Sequence, residues 1–186
     1  MKHIVLMRHA KVDIDNSKKI DALSLQKWIA DYDIAPIDRR NLPLAKTITL
    51  AQNAELVVSS TLPRAIDSAQ VLGVEIHEKN SLFDEAAIPN VRLSFFRFKP
   101  KTWLVILRSL LFLGLGKKDT SLKASKIRAK KAAQKLILYT QAYDNVLLIG
   151  HGGMNWLIGK SLEKEGWKLE GKAEHTNWGV TIFVDK

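Results

Sequence analysis

The 186-residue chain contains no cysteine, which excludes a disulfide framework, a thiolate nucleophile and any cysteine-built metal site. That absence fits a reducing compartment. Long hydrophobic runs are also missing. The first apolar run, Ile4-Val5-Leu6-Met7, is too short for a signal peptide, and Trp103–Leu115 falls short of the roughly 18–20 residues that span a bilayer and is interrupted by Arg108. No internal repeat, low-complexity tract or linker divides the chain. With 46% hydrophobic and 26% charged residues it reads as one globular domain, 1–186, large enough to bury a core.

Acid is scarce in one place. From Ala86 to Lys135 the only acidic residue is Asp119, against thirteen lysines and arginines, and this block carries the whole excess behind the net charge of +10. Such a surface attracts anions, whether lipid, substrate or nucleic acid, or is simply a solvated positive face.

Three segments share one pattern, an apolar strand that ends on polar residues. Ile4–Met7 runs into Arg8-His9-Ala10, Leu56–Ser60 into Thr61-Leu62-Pro63-Arg64-Ala65, and Val146–Ile149 into Gly150-His151-Gly152-Gly153. In an open α/β sheet, ligands bind just beyond the carboxyl ends of the strands. Arg8, His9, Arg64 and His151 therefore describe one cationic pocket sized for a phosphoryl group. Pro63 suits a first helical turn, and the helix it opens points its positive end at the pocket. Gly152-Gly153 opens another helix whose free N–H groups favour anions.

At these residues the sequence resembles the histidine phosphatase superfamily. Arg8-His9-Ala10 matches its Arg-His-Gly signature, Ser59 to Ala69 its second-arginine motif, and Gly150-His151-Gly152 its second-histidine motif. Two positions depart from the pattern: Ala10 replaces the usual glycine, and Val12 stands where many members carry threonine. The resemblance implies a three-layer α/β/α sandwich of phosphoglycerate mutase-like type with a mostly parallel central sheet. It implies a phosphohistidine on His9, phosphate binding by Arg8, Arg64, His151 and Gly152, and proton donation by Glu85, with Asp84 as the alternate. Asn16 lies one residue from a phosphate-contacting asparagine of relatives, but Asp15-Asn16-Ser17 also reads as plain turn chemistry.

The remaining elements follow from periodicity. Ser24 is expected to cap a helix carrying Leu25, Trp28, Ile29 and Tyr32 on one stripe, with Trp28 in the core. Further helices are expected over Leu44–Gln52, Pro63–Leu72 and from Asp119 or Ser121 to about Tyr143. Val74–Ile76 reads as an edge strand with His77 on the surface, and Gly179–Val184 as the last strand. Residues 90–118 form a basic, apolar insertion. Its Trp103–Leu113 segment is expected to be a helix, serving as a lid over the pocket, an oligomer surface, an interfacial helix on anionic lipid or simply core, with Arg92 or Arg97 as a positive rim.

The expected function is a metal-independent phosphatase that needs no cofactor and acts on a small phosphomonoester or a phosphoprotein. A phosphohistidine phosphatase and a phosphoglycerate mutase-like mutase are the alternatives. From another class comes a non-catalytic phosphate-binding module acting at a membrane or protein partner. A homo-oligomer or an anionic membrane surface would engage residues 92–115, nucleic acid is not an expected partner, and the location expected is cytoplasmic, peripheral to the membrane if the interfacial reading holds.

Overall fold

The computed structural model describes residues 1–86, 95–112 and 122–185. Along the chain run β1 (His3–Arg8), α1 (Ala22–Ile34), α2 (Ala45–Gln52), β2 (Leu56–Ser59), α3 (Pro63–Leu72), β3 (Glu78–Lys79), a 3-10 turn at Ser81–Phe83, α4 (Pro100–Phe112), α5 (Leu122–Tyr139), β4 (Asn145–Gly150), α6 (Gly152–Lys164), β5 (Lys168–Glu170) and β6 (Val180–Val184). The strands form one sheet in the order β3-β2-β4-β1-β6-β5. The first four are parallel; β6 and β5 are antiparallel to their neighbours.

The central strands are apolar throughout because both faces are covered. In β4, Val146 and Leu148 face one cluster with Ala129, Ala133 and Leu136 of α5 and Leu157, Ile158 and Leu162 of α6. Leu147 and Ile149 face the other, with Ala65, Ala69 and Leu72 of α3. This is the three-layer sandwich expected. Register aligns the strand ends: Arg8 pairs with Gly150, and Ser59 with Ile149. The two motif strands and β2 therefore finish at one edge of the sheet.

A third, separate cluster joins α1 to α4 through Ala22, Leu25, Trp103 and Leu107. Leu25 and Leu107 are fully buried there, each stabilising by about 1.5–3 kcal/mol. Trp103 Nε1 donates to the Ile20 carbonyl at 2.7 Å, and Phe98 packs edge-on against its ring. The apolar insertion thus buries one side of its helix within the fold.

Several boundaries differ from expectation. The cap of α1 is Asp21, whose Oδ1 accepts the Ser24 N–H at 2.7 Å, so Ser24 sits inside the first turn. Val74–Ile76 is not a strand. Val74 and Ile76 pack against the core in the connection, and the edge pairing is made by Glu78 and Lys79. The α5 helix stops at Tyr139, and Thr140–Ala142 turn toward β4. Its expected caps, Asp119 and Ser121, lie outside the described residues, as do Leu113 and Arg92. β5 was not expected. Among the described residues, no helix is long and apolar enough to cross a membrane.

Candidate active site

The floor of the site is built where β1, β2 and β4 end. His9 is 2% exposed. Its Nδ1 lies 2.5 Å from the Ala10 carbonyl, which can only accept, so Nδ1 carries the proton and Nε2 keeps its lone pair. Its backbone is pinned on both sides, the N–H donating to Gly150 and the carbonyl accepting from Asn177 Nδ2 at 2.9 Å. Burial, and then the charges of His151, Arg64 and Arg8, push its pKa well below the ordinary imidazole value. His151 is fully buried and shifted the same way by burial, Arg64 and Arg8. The two rings lie 5.0 Å apart, centroid to centroid.

The arginines are held by their outer nitrogens. Arg8 Nη1 donates to the His175 carbonyl at 2.8 Å, and Arg64 Nη1 to Asp33 Oδ1 at 2.9 Å. Arg64, 2% exposed, also lies under the Tyr32 ring, 4.8 Å from its centroid. Both arginine Nε atoms and His151 Nδ1 are buried without a partner among the described residues. Buried donors normally find acceptors, so three orphans on three neighbouring residues mark a place for an anion.

Ser68 ties two of the motifs together. Its hydroxyl accepts from the Ala10 N–H at 2.8 Å and donates to the Arg64 carbonyl at 2.6 Å. Ala10 is fully buried in the core against α3, which accommodates the methyl group in place of glycine. Trp178 adopts a φ of 62°, a costly backbone for a bulky residue. It is fixed there by its N–H on the Arg8 carbonyl and its Nε1 on the Asn41 carbonyl.

Glu85 reaches the same place from the loop after the 3-10 turn. Its Oε1 accepts the N–H groups of Ala86 at 2.9 Å and Met154 at 3.1 Å, and its Oε2 pairs with Arg108 Nη2 at 3.2 Å. The N-terminus of α6 therefore holds Glu85. The two glycines after His151 have separate reasons: a Cβ on Gly152 would stand 3.4 Å from the Arg8 side chain, and one on Gly153 only 2.8 Å from Glu85 Oε1. Arg128 of α5 fixes the Glu85 carbonyl at 2.7 Å. Asp84 is engaged otherwise, both of its oxygens accepting from the Thr61 hydroxyl.

A cavity of about 320 Å³ adjoins this floor, lined by Arg8, Arg64, Asp84 and Glu85 and, as a roof from α1 and α4, by Trp28, Tyr32, Leu104 and Arg108; His9 and His151 are not among its lining residues. Trp28 thus has two roles, packing on the α1–α4 cluster and walling the cavity. The helix expected at the pocket mouth is there, but its cation is Arg108. Arg97 is exposed, close enough to Asp21 to depress that carboxyl after the Ser24 hydrogen bonds have done so, and does not line the cavity. Asn16 turns back onto its own loop, donating to the Ile14 carbonyl at 2.9 Å. Sequence reasoning passed over Asp33, Arg108, Arg128 and Asn177, none of which carries a local motif. A larger groove of about 790 Å³ lies elsewhere, between α5 and α6, with Lys123, Lys126, Lys130, Lys160 and Lys164 around Ile127 and Trp156. Among the described residues, no group of three or more histidine or acidic side chains is placed to hold a metal ion.

No protein-family model matches the chain, and no curated protein matches it in sequence. Solved structures do. A phosphoserine phosphatase from Entamoeba histolytica, in complex with 3-phosphoglyceric acid, aligns with a TM-score of 0.60 at 15% identity over 99% of this chain and 91% of its own. A mycobacterial glucosyl-3-phosphoglycerate phosphatase complexed with VO3 gives 0.58 at 15% identity, over 98% and 90%. An Escherichia coli putative alpha-ribazole-5'-P phosphatase gives 0.55 at 14% identity, over 86% and 79%. Sheet order and these alignments agree on the fold: the chain has the three-layer, phosphoglycerate mutase-like architecture that these solved structures share.

Proposed function

We propose that the protein is a phosphatase that hydrolyses a phosphomonoester through a phosphohistidine on His9. The observation that carries this reading is the fixed proton on His9: the Ala10 carbonyl takes the Nδ1–H, which leaves Nε2 a neutral lone pair on a ring set among three buried donors that have no partner among the described residues. Phosphoryl transfer asks for positioning and charge stabilisation, and buried arginines and histidines are groups of the kind that supply both. Arg8 and Arg64 present guanidinium groups to the equatorial oxygens, and His151 adds a further donor.

In the first step His9 Nε2 forms a bond to phosphorus as the bond to the leaving oxygen breaks, and Glu85, as general acid, passes a proton to that oxygen. In the second step the Glu85 carboxylate takes a proton from water, whose oxygen displaces His9 and releases phosphate. Both acids of the loop line the cavity; Glu85 is presented there between the α6 N-terminus and Arg108, while Asp84 is held by the N–H and hydroxyl of Thr61. The neighbouring structures, phosphatases by name, support the same reaction class.

Rapid mixing with a ³²P-labelled phosphomonoester and an alkaline quench tests this. Acid-labile label on His9, absent in His9→Ala, is expected. Full turnover by His9→Ala would overturn the proposal.

A further inference from the structure

Two neutral imidazoles share the pocket, and the proposed reaction needs them to do opposite things. One must offer a lone pair to phosphorus and the other a proton to oxygen. The carbonyl of Ala10 settles the first. For the second, the geometry at the end of β2 supplies the answer.

Ser60 is fully buried just past the last residue of β2. Its Oγ lies 2.7 Å from His151 Nε2 and accepts the Leu62 N–H at 3.2 Å. A hydroxyl has one proton to give, and a neutral imidazole has one nitrogen that donates and one that accepts. Two arrangements fit the 2.7 Å contact. If Nε2 held the ring proton and donated to Oγ, the Ser60 proton would be left without an acceptor among the described residues, and Nδ1 would be a second unpaired atom. If Ser60 donates to Nε2, every partner in the group is used except the Nδ1–H of His151, the atom found buried and orphaned. The second arrangement leaves one unmet group instead of two, and an unmet buried polar group bears its full desolvation penalty. The single group it leaves is a donor beside Arg8 and Arg64, which an anionic oxygen satisfies.

We infer that Ser60 sets the tautomer of His151: its hydroxyl donates to Nε2, keeps the ring proton on Nδ1, and so turns His151 into a hydrogen-bond donor toward a phosphoryl oxygen. Ser60 is a positioning residue that acts through His151 and touches no substrate. The inference rests on the phosphoryl reading of the pocket. Both histidines then carry their proton on Nδ1 and differ in the fate of Nε2, bare in His9 and occupied by Ser60 in His151. Without the serine, His151 would sample the other tautomer, which presents a lone pair to an oxygen anion.

The test is the proton's location, read by long-range ¹H–¹⁵N correlation of the imidazoles in uniformly labelled protein, with His151 assigned by single replacement. The wild-type spectrum should show Nδ1–H for His151. Ser60→Ala should shift it toward Nε2–H and lower kcat by roughly 10–10²-fold, at or below the loss of about 10²–10³ usual for one transition-state donor. Ser60→Thr, which retains the hydroxyl, should restore both. A wild-type His151 protonated on Nε2 would overturn the assignment even if Ser60→Ala fails to fold. So would a folded Ser60→Ala with unchanged tautomer and unchanged kcat. The spectrum does not depend on turnover, so an inactive protein with the expected tautomer would count against the phosphatase reading and leave the Ser60 assignment standing.

Discussion

The floor and the roof of the cavity are built on different terms. In the floor, His9, Arg64, His151 and Ser60 are at most 2% exposed; His9 is tied to backbone and His151 to Ser60, and only the Arg64 side chain reaches out to a roof residue, Asp33. In the roof, Tyr32, Asp33, Leu104 and Arg108 come from two helices joined through a small cluster of their own, and the polar contacts of Asp33 and Arg108 are ion pairs whose roof member is itself 40–45% exposed. A group fixed by backbone and sealed from water keeps one geometry, whereas an ion pair near the surface is weak and exchangeable. Chemistry belongs to the first kind of construction, selectivity and access to the second. Changes in the floor should therefore cost rate steeply, and changes in the roof should alter binding modestly.

The steepest expected loss, after that of the proposed nucleophile, is at the proposed proton donor. Glu85→Gln should slow hydrolysis of alkyl phosphates by roughly 10²–10⁴-fold while sparing nitrophenyl phosphate, whose leaving group needs no proton. Equal losses on both substrates would remove Glu85 from this role. Asp84→Asn, aimed at the Thr61 contact, should leave the leaving-group dependence as it was.

Next comes a change that touches no charge. A methyl group at Gly153 would meet Glu85 Oε1 at 2.8 Å and push the carboxylate aside. Gly153→Ala should lower kcat on alkyl phosphates by about 10²-fold, the scale of a displacement near 1 Å, with little change in melting temperature. Wild-type kinetics would show that the floor yields more than its contacts imply.

The floor should also show in the acid limb of stability. His9 and His151 are buried neutral and do not take up the second ring proton in the folded chain near pH 6, whereas in the unfolded chain they titrate at the ordinary imidazole value of about 6.5. The unfolded state then binds more protons below that value, so their contribution is present above pH 6.5 and lost as pH falls from 7 toward 5. Urea unfolding across that window should show it. Replacing both histidines by asparagine should flatten the slope, and an unchanged slope would mean that neither is buried neutral.

The smallest effect belongs to the roof. Asp33 competes with any ligand for Arg64, through an ion pair worth about 1 kcal/mol or less given its exposed partner. Asp33→Asn should tighten binding of inorganic phosphate by about fivefold at most, measured by isothermal titration calorimetry. Weaker binding would show that Asp33 orients Arg64 rather than competing for it.

The same division explains what the sequence could reveal. Arg8-His9, Ser60 to Arg64 and Gly150 to Gly153 each combine an apolar run with functional residues in a short window, so the floor can be assembled from local patterns and the strand-end rule. The roof cannot. Asp33 ends an amphipathic helix and Arg108 interrupts an apolar one, and only the packing of α1 on α4 brings them over the pocket. Ser60 shows its second role only when β2 and β4 lie side by side. β5 escaped notice because all three residues are exposed and give no alternation, and Val74–Ile76 read as a strand because apolar alternation in a connection looks the same.

The contact between Asp33 and Arg64 has a consequence for any affinity the protein displays. Asp33 is tethered to the chain, so it faces Arg64 at a fixed effective concentration that dilution does not lower. A phosphoryl group that takes Arg64 must displace it, and the apparent dissociation constant is the intrinsic one divided by the fraction of molecules whose guanidinium is free. Salt screens the internal pair as well as the incoming anion. Phosphate affinity should accordingly fall less steeply with ionic strength than the ligand's charge alone dictates, and steepen in Asp33→Asn.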